Sequence, residues 1–150
     1  MQPSSTTRQS IGALPVPENR RLNFLPNMFG RLPMYFLGGE SMIYDFAQSL
    51  MDGYIGGNWT YCKAANGAHF ATPPAREQWR ISVASNGYEG EVSTEAAGVI
   101  VSLFALNAMA ERAHGRGDGQ GMDFLADRYY ELREFAKVHP EARAIMKAID

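Results

Sequence analysis

The stretch from Gly90 to Ala113 constrains the fold more than any other part of this 150-residue chain. No charged side chain occurs between Ala96 and Ala110, so a helix over this stretch is apolar on all sides. Ser93 is a favourable N-cap residue for such a helix. The apolar run is shorter than the roughly 18 residues that a membrane span requires. We therefore predict the buried central helix of a globular domain.

Length and composition fit one domain with a substantial core, because 45% of the residues are hydrophobic and 20% are charged. The 14 basic and 16 acidic side chains leave a formal net charge of −2, which implies neither a broad DNA-binding face nor an acidic surface that mimics DNA throughout. Cys62 is the only cysteine, so an internal disulfide and a cysteine-cluster metal site are excluded. With no signal peptide or lipidation motif in view, we expect a cytoplasmic protein that does not associate with membranes.

The N-terminal residues are polar and show no sustained apolar period. We predict a flexible tail over residues 1–16 and a single domain over residues 17–150. Pro17 and the residues after it favour a short helix that ends near Pro26, because proline is tolerated in the first turn and disfavours helix in the residue before it.

Three further helical segments are predicted. After a break at Gly38-Gly39, apolar residues recur at helical spacing from Ile43 to Tyr54. The segment from Gly115 to Gly121 alternates glycine with polar residues and is predicted to be a flexible loop, since it lacks the strand context and the Gly-Lys-Ser/Thr ending of a phosphate loop. Amphipathic helices are predicted from Met122 to Val138 and from His139 to the end of the sequence.

A β-hairpin is predicted around Asn66-Gly67, the strongest turn signal in the sequence. A two-residue turn at this point opposes Lys63 to Phe70. One face of the hairpin then carries Trp59, Tyr61, Lys63 and Phe70, and the other carries Thr60, Cys62, Ala64, His69 and Ala71. We predict that the aromatic face is the core face.

Alternating apolar and polar residues predict a third strand from Trp79 to Val83, and the turn signal Asn86-Gly87 leads to a short fourth strand from Tyr88 to Val92. Together the patterns predict an α+β fold. It is a single compact domain in which a small antiparallel β-sheet of three to four strands packs with about four helices around the central apolar helix.

Few residues are arranged for catalysis. Cys62 and His69 share a face of the predicted hairpin and form the one pair typical of nucleophilic catalysis, but no third member or oxyanion element accompanies them. The three histidines, His69, His114 and His139, lack metal-ligand spacing, and the last two fit positions at helix ends. We predict no catalytic residue, no metal and no cofactor, with a Cys–His hydrolase as the less favoured alternative.

Two surfaces are candidates for binding a partner protein. The predicted helix from Met122 carries four carboxylates on one narrow stripe, which is also typical of a solvated helix face: Asp123, Asp127, Glu131 and Glu134. The second surface is the turn before the central helix, which carries Asn86, Glu89 and Glu91. As an alternative function, the aromatic face of the hairpin is a possible stacking platform for single-stranded nucleic acid.

Several segments, in order along the chain, resemble the ArdB/KlcA antirestriction proteins. The segments are Phe24-Leu25-Pro26-Asn27-Met28-Phe29-Gly30, Tyr54-Ile55-Gly56-Gly57-Asn58-Trp59, Asn66-Gly67 with Phe70, Gly90-Glu91-Val92-Ser93 before Ala96-Ala97-Gly98, and Asp127-Arg128-Tyr129-Tyr130-Glu131-Leu132-Arg133 with His139-Pro140-Glu141-Ala142. The resemblance spans the sequence from about Pro17 to Asp150.

The resemblance implies a protein, carried by plasmids and other mobile elements, that relieves restriction of incoming DNA by type I restriction–modification enzymes. It implies a compact α/β domain without catalytic activity. The implied partner is the host restriction enzyme, contacted directly or through a host factor. Because the net charge is only −2, we expect the protein to inhibit by protein interaction and not by bulk DNA mimicry, and not to bind nucleic acid strongly. We also expect a monomer.

Overall fold

Strands and helices are interleaved along residues 12–150, the part of the chain that the computed structural model describes. The α-helices in this part are α1 Arg21–Phe29, α2 Pro33–Leu50, α3 Thr94–Gly115, α4 Gly119–Lys137 and α5 Ala142–Ile149. The strands are β1 Ala13–Pro15, β2 Thr60–Ala64, β3 His69–Thr72, β4 Trp79–Val83 and β5 Tyr88–Val92. The predicted α+β class is confirmed.

Helix α3 is the predicted central helix. Ser93 caps it by accepting a hydrogen bond from the Ala96 backbone N–H at 3.1 Å, as predicted. Every residue from Ala96 to Leu103 is buried, so the first half of the helix has no wet face. Among the described residues, α3 alone is long and apolar enough to cross a membrane, but 67% of its most apolar window is buried within the fold. Its packing partners include α2, α4, α5 and β3.

Helix α3 packs directly on the backbone of β3. The Ala71 backbone N–H donates a hydrogen bond to the Ser102 hydroxyl at 3.0 Å, and Gly98 lies one turn earlier on the same helix face. A Cβ atom at position 98 would lie 2.8 Å from the Cα atom of Thr72 and closer still to the Ala71 carbonyl oxygen. The helix therefore approaches the strand at a distance that only glycine permits.

The strands form two sheets and not the single sheet predicted. The first is antiparallel in the order β1-β2-β3, and the second is the two-stranded ribbon of β4 and β5. Strand β1 corrects the predicted boundary of the N-terminal tail, because Ala13 pairs with Ala64 and Pro15 pairs with Cys62. The tail predicted over residues 1–16 otherwise falls mainly on residues 1–11, which lie outside the described part of the chain.

The register of the β2–β3 hairpin differs by one residue from the prediction. Lys63 pairs with His69 and Cys62 pairs with Phe70, because the loop holds three residues, Ala65 to Gly67, and not two. Gly67 has a φ of +92°, which suits glycine in a three-residue hairpin loop. A shift of one residue moves every side chain of one strand to the other face, so Phe70 lies beside Cys62 and away from Tyr61.

The predicted break at Gly38-Gly39 is absent, since α2 runs through both residues. A Cβ atom at position 39 would overlap the ring of Phe29, and one at position 38 would lie 3.1 Å from Met109. These glycines therefore allow α1 and α3 to pack closely against α2. Helix α1 likewise continues through Pro26, because the burial of Phe24 and Met28 on its inner face offsets the cost of about 3 kcal/mol that an interior proline carries.

The last two helices follow the prediction more closely. Helix α4 begins at Gly119, three residues earlier than expected, because Asp118 caps it by accepting a hydrogen bond from the Gly121 N–H at 2.9 Å. The predicted flexible loop is shortened accordingly. Leu125 and Leu132 on α4 are buried in the core, as their helical spacing predicts. Ile145 on α5 is buried in the same way.

Replacing Gly98 by alanine tests the contact between α3 and β3. We expect Gly98→Ala to lower the free energy of unfolding by about 1–3 kcal/mol, because the strand backbone must move to accept the methyl group. The matched control is Gly115→Ala at the end of the same helix, where a Cβ meets no atom within 4 Å. Chemical denaturation of both variants measures the difference, and equal stability would contradict the close approach described here.

Candidate functional site

Cys62 and His69 do not form a catalytic pair. In the observed register they lie on opposite faces of the hairpin, which corrects the arrangement predicted from a two-residue turn. Burial raises the pKa of the Cys62 thiol to about 11, so the thiol stays protonated and weakly nucleophilic near neutral pH. The geometry and the protonation state both exclude Cys62 as a nucleophile activated by His69.

His69 is a buried neutral imidazole. Its ring lies 5.2 Å from that of Phe24, and only 7% of the residue is exposed. Burial, with a smaller contribution from the positive charges of Arg128 and Lys63, lowers the pKa of His69 from 6.5 to about 4. Its Nδ1 atom has no hydrogen-bond partner within the described part of the chain. The residue therefore serves the packing of α1 on the hairpin.

The aromatic hairpin does not offer free rings for stacking on bases. Phe24 lies parallel to the Tyr61 ring at a centroid distance of 4.4 Å, and the Arg21 guanidinium lies 4.5 Å from the same ring. The Tyr61 ring is therefore already in contact with two side chains of α1. Trp59 is 6% exposed and donates its indole N–H to the Tyr54 hydroxyl. These contacts remove the basis for the nucleic-acid alternative.

The turn between β4 and β5 is fastened to the C-terminal end of the chain. The Asn86 side-chain amide donates to the backbone carbonyls of Lys147, Ala148 and Asp150, with the shortest distance, 2.9 Å, to Ala148. It thereby satisfies carbonyl groups that a helix end leaves without partners. The side chain of Asn86 thus holds α5 in place.

The two acidic residues of the β4–β5 ribbon, Glu89 and Glu91, lie beside the Arg80 side chain. Glu89 forms an ion pair of 2.8 Å with Arg80, and Glu91 is the direct cross-strand partner of Arg80. Asp52 lies 3.8 Å from the same guanidinium. Part of the acidic charge of the ribbon is therefore balanced locally.

The acidic stripe on α4 faces away from the core, as predicted. Glu131 pairs with Arg128 at 3.0 Å, and Glu134 pairs with Lys137 at 2.9 Å. Within residues 12–150, Asp123 and Asp127 have no ion-pair partner and are exposed. The stripe therefore presents two free carboxylates and two that are partly neutralised. Helix α5 packs on both α4 and β5, so the stripe and the β4–β5 turn form separate surfaces.

A cleft beside this stripe was not predicted from the sequence. It has a volume of about 490 Å³ and lies between the α1–α2 connection and the first half of α4. Its lining residues are Pro26, Asn27, Phe29, Gly30, Arg31, Leu32, Tyr35, Asp118, Gln120, Gly121, Phe124 and Arg128. Apolar walls and a few polar groups are typical of a binding site.

Hydrogen bonds fix the polar groups of the cleft. The Tyr35 hydroxyl donates to Asp118 at 2.6 Å, a contact that raises the pKa of the tyrosine and lowers that of the carboxyl group. Asn27 holds two arginines: its backbone carbonyl accepts from Arg128 Nε at 2.8 Å, and its side-chain oxygen accepts from Arg31 at 3.2 Å. The cleft therefore has two positioned guanidinium groups at its edge.

A partly buried polar network joins the start of α3 to the start of α5. His139 Nε2 lies 2.7 Å from a Glu95 carboxylate oxygen, while its Nδ1 accepts from the Glu141 backbone N–H at 2.9 Å. The Glu141 carboxylate accepts hydrogen bonds from the Ser93 hydroxyl and backbone N–H. His139 does not contact the Ser93 hydroxyl, so the network lacks the arrangement of a serine nucleophile and its base. It joins two helix ends.

Comparison with known proteins identifies the family. The family model described as "Antirestriction protein" matches residues 52–150. The Antirestriction protein KlcA of Escherichia coli is 40% identical over 146 residues, which cover 97% of this chain and 99% of that protein. The chain belongs to the antirestriction protein family. The uncharacterized protein YafX of E. coli K12 is also similar, with 34% identity over 100% of this chain and 95% of its own length.

A solved structure supports the same assignment. It matches with a TM-score of 0.80 and 40% identity over 92% of this chain and 94% of that chain. It belongs to a study of KlcA and ArdB, which reports for those proteins a novel fold and antirestriction activity against type I DNA restriction systems in vivo but not in vitro. This antirestriction protein therefore shares their fold. Among its residues 12–150, no group of three His, Cys, Asp or Glu side chains is placed to hold a metal ion.

The buried neutral state of His69 predicts a loss of stability in acid. Its pKa falls from 6.5 to about 4 on folding, so below about pH 6.5 the unfolded chain binds a proton that the folded chain does not. The free energy of unfolding should decrease as the pH falls from about 6.5 to about 4. We expect His69→Leu to flatten this part of the stability curve, measured by urea denaturation at several pH values. The exposed His114 provides the control: a similar flattening in His114→Leu would contradict the assignment.

Proposed function

We propose that this antirestriction protein relieves the restriction of incoming unmodified DNA by type I restriction–modification enzymes. Its similarity to KlcA, at 40% identity across nearly the whole of both chains, is the observation that carries the proposal. KlcA and ArdB are described as active against type I systems in vivo. The shared fold supports the transfer of this activity, since the match covers 94% of that structure.

The charge distribution favours a route other than bulk DNA mimicry. A DNA duplex carries a phosphate charge about every 1.7 Å along its axis, whereas this chain has a formal net charge of −2. The acidic stripe does not compensate, because Glu131 and Glu134 are each paired with a cation on the same helix. We infer a local protein contact, for which surface complementarity matters more than total charge.

The contrast between activity in vivo and in vitro favours an indirect route of inhibition. KlcA and ArdB are described as active in vivo but not in vitro, which favours a requirement for an additional cellular component. By analogy, this chain acts through a host factor, or on a state of the restriction enzyme that exists only in the cell. We propose that the protein acts in the cytoplasm as a monomer. We also propose that it is not an enzyme, because the hairpin register separates Cys62 from His69, the one candidate catalytic pair.

The acidic stripe is the stronger of the two partner surfaces proposed from the sequence. Asp123 and Asp127 are exposed, and neither has an ion-pair partner among the described residues. At the β4–β5 turn, by contrast, the Asn86 side chain is bound to the end of the chain, and Arg80 lies between Glu89 and Glu91. We therefore assign the main contact to α4, with the turn as a secondary one.

A plating experiment tests the proposed activity. Expression in a host with an active type I system should raise the plating of unmodified phage, and expression in a host without the system should have no effect. We expect Cys62→Ala to give the same relief as the unchanged protein, because the buried thiol takes no part in catalysis. Unchanged restriction in the presence of the protein would refute the proposal, and loss of relief in a folded Cys62→Ala protein would restore an enzymatic role.

Neutralising the stripe tests the assigned surface. The double variant Asp123→Asn, Asp127→Asn should reduce the relief of restriction at least about tenfold, because it removes from the proposed contact surface both carboxylates that have no ion-pair partner in the described part of the chain. The matched control is Glu111→Gln, which removes an exposed carboxylate from α3. Thermal unfolding of each variant confirms that the fold is retained. If both variants protect phage equally well, α4 is not the contact surface.

A further inference from the structure

We propose that the cleft beside α4 binds a partner-protein segment in which an apolar side chain stands next to a carboxylate, with basic residues further along. This inference deepens the proposed function and rests on it for the biological role of the segment. The predicted binding of the segment to the cleft is independent of the proposed function. Three features of the cleft carry it, namely its apolar walls, its two positioned arginines and the carboxylates on its border.

We expect an apolar side chain in the bound segment because the walls of the cleft are apolar. Leu32 and Phe124 present apolar surface in the cleft, since Leu32 is 52% exposed and Phe124 is half-buried, whereas Phe29, which also lines it, is fully buried. The volume of about 490 Å³ falls within the range of roughly 300–1,000 Å³ that is typical of ligand sites. An aromatic or leucine side chain that enters the cleft removes this apolar surface from water, which is the usual role of an anchor residue at an interface.

We expect a carboxylate in the bound segment because two arginines lie at the edge of the cleft. Arg31 and Arg128 both bind Asn27, so their guanidinium groups lie on the same side of the cleft. Stacking of Arg128 on the Phe124 ring, at 4.8 Å, restricts it further. Guanidinium groups that are already positioned bind carboxylates with little loss of side-chain entropy. Asp118, the lining carboxylate, already accepts hydrogen bonds from Tyr35 and the Gly121 N–H. Arg128 is paired with Glu131, whereas Arg31 has no ion-pair partner within residues 12–150, so Arg31 is the main site for an incoming carboxylate.

We expect basic residues further along the bound segment because carboxylates lie on the helix face next to the cleft. Asp123 and Asp127 each directly precede a lining residue of α4, so they lie about 100° around the helix axis from it, on the face that adjoins the cleft. Their negative charge disfavours a long acidic peptide and also disfavours nucleic acid, whose phosphates it repels. The N-terminal residues 1–11 of this chain do not fit as an occupant, because they contain Arg8 and no acidic residue. The pattern fits a partner of mixed charge.

Peptide titration of the full-length, isotope-labelled protein tests the inference. The probes are two capped peptides with a glutamate beside a phenylalanine, followed in one and preceded in the other by two lysines. NMR shifts of the Gly30, Leu32 and Gly121 amides should report binding of at least one peptide. We expect replacement of the glutamate by glutamine, or of the phenylalanine by serine, to weaken binding by about tenfold. An absence of shifts at these amides with both peptides would overturn the inference.

Two protein variants assign the contacts. Arg31→Glu should weaken binding of the better peptide at least about tenfold, since Arg31 is exposed and its substitution leaves the core intact. Arg143→Glu reverses an exposed arginine on α5, outside the cleft lining, and should leave binding unchanged. Equal binding by Arg31→Glu and the unchanged protein would overturn the assignment. So would stronger shifts at the cleft amides with a single-stranded oligonucleotide, or self-association that buries the cleft without peptide.

The plating assay separates this inference from the proposed function. If the unchanged protein relieves restriction, Arg31→Glu should lose most of that relief and Arg143→Glu should retain it. Full relief by a folded Arg31→Glu variant would refute the cleft as the functional contact while leaving the antirestriction activity in place. If the unchanged protein fails to relieve restriction, the proposed function is refuted, and the peptide titration alone decides whether the cleft binds such a segment.

Discussion

The contact between α3 and the free edge of β3 is the constraint on which the rest of the structure depends. The outer backbone N–H of β3 at Ala71 would otherwise be buried without a partner, and Ser102 supplies that partner from within an apolar helix. Gly98 lets the helix come close enough for the bond to form. Covering a strand edge with a helix prevents pairing with other chains and fixes the helix relative to the sheet. The flanking helices α2 and α4 then pack on the remaining sides of α3.

Sequence patterns predicted the elements better than their pairing. The Asn66-Gly67 signal correctly located the hairpin, but this dipeptide is compatible with loops of two and of three residues. The choice depends on burial of Phe70 against Phe135, whose ring lies 5.5 Å away across 65 positions of the sequence. That contact is not visible in a local pattern. The resulting slip of one residue also created the false proximity of Cys62 and His69.

Glycine and proline misled the prediction where tertiary packing outweighs local preference. The Gly38-Gly39 pair lies inside α2 because neighbouring side chains occupy the space that Cβ atoms would fill, and Pro26 lies inside α1 because the inner face of that helix is buried. The candidate cleft was unpredictable for a related reason. Its hydrogen bonds join Tyr35 to Asp118 and Asn27 to Arg128, pairs that are 83 and 101 positions apart. The acidic stripe, by contrast, is a property of one helix and was predicted from its period.

A protein with almost balanced charge can still recognise a charged partner if its charges are separated on the surface. Here α3 carries no ionisable group from Ala96 to Ala110, and α4 carries opposite charges on adjoining faces, with Asp123 and Asp127 on one and Arg128 on the next. Because screening in physiological salt limits such interactions to about 8 Å, a partner experiences the local pattern and not the net charge. The apolar helix thus supports α4, and the partner specificity that we propose lies in the order of charges along and beside α4.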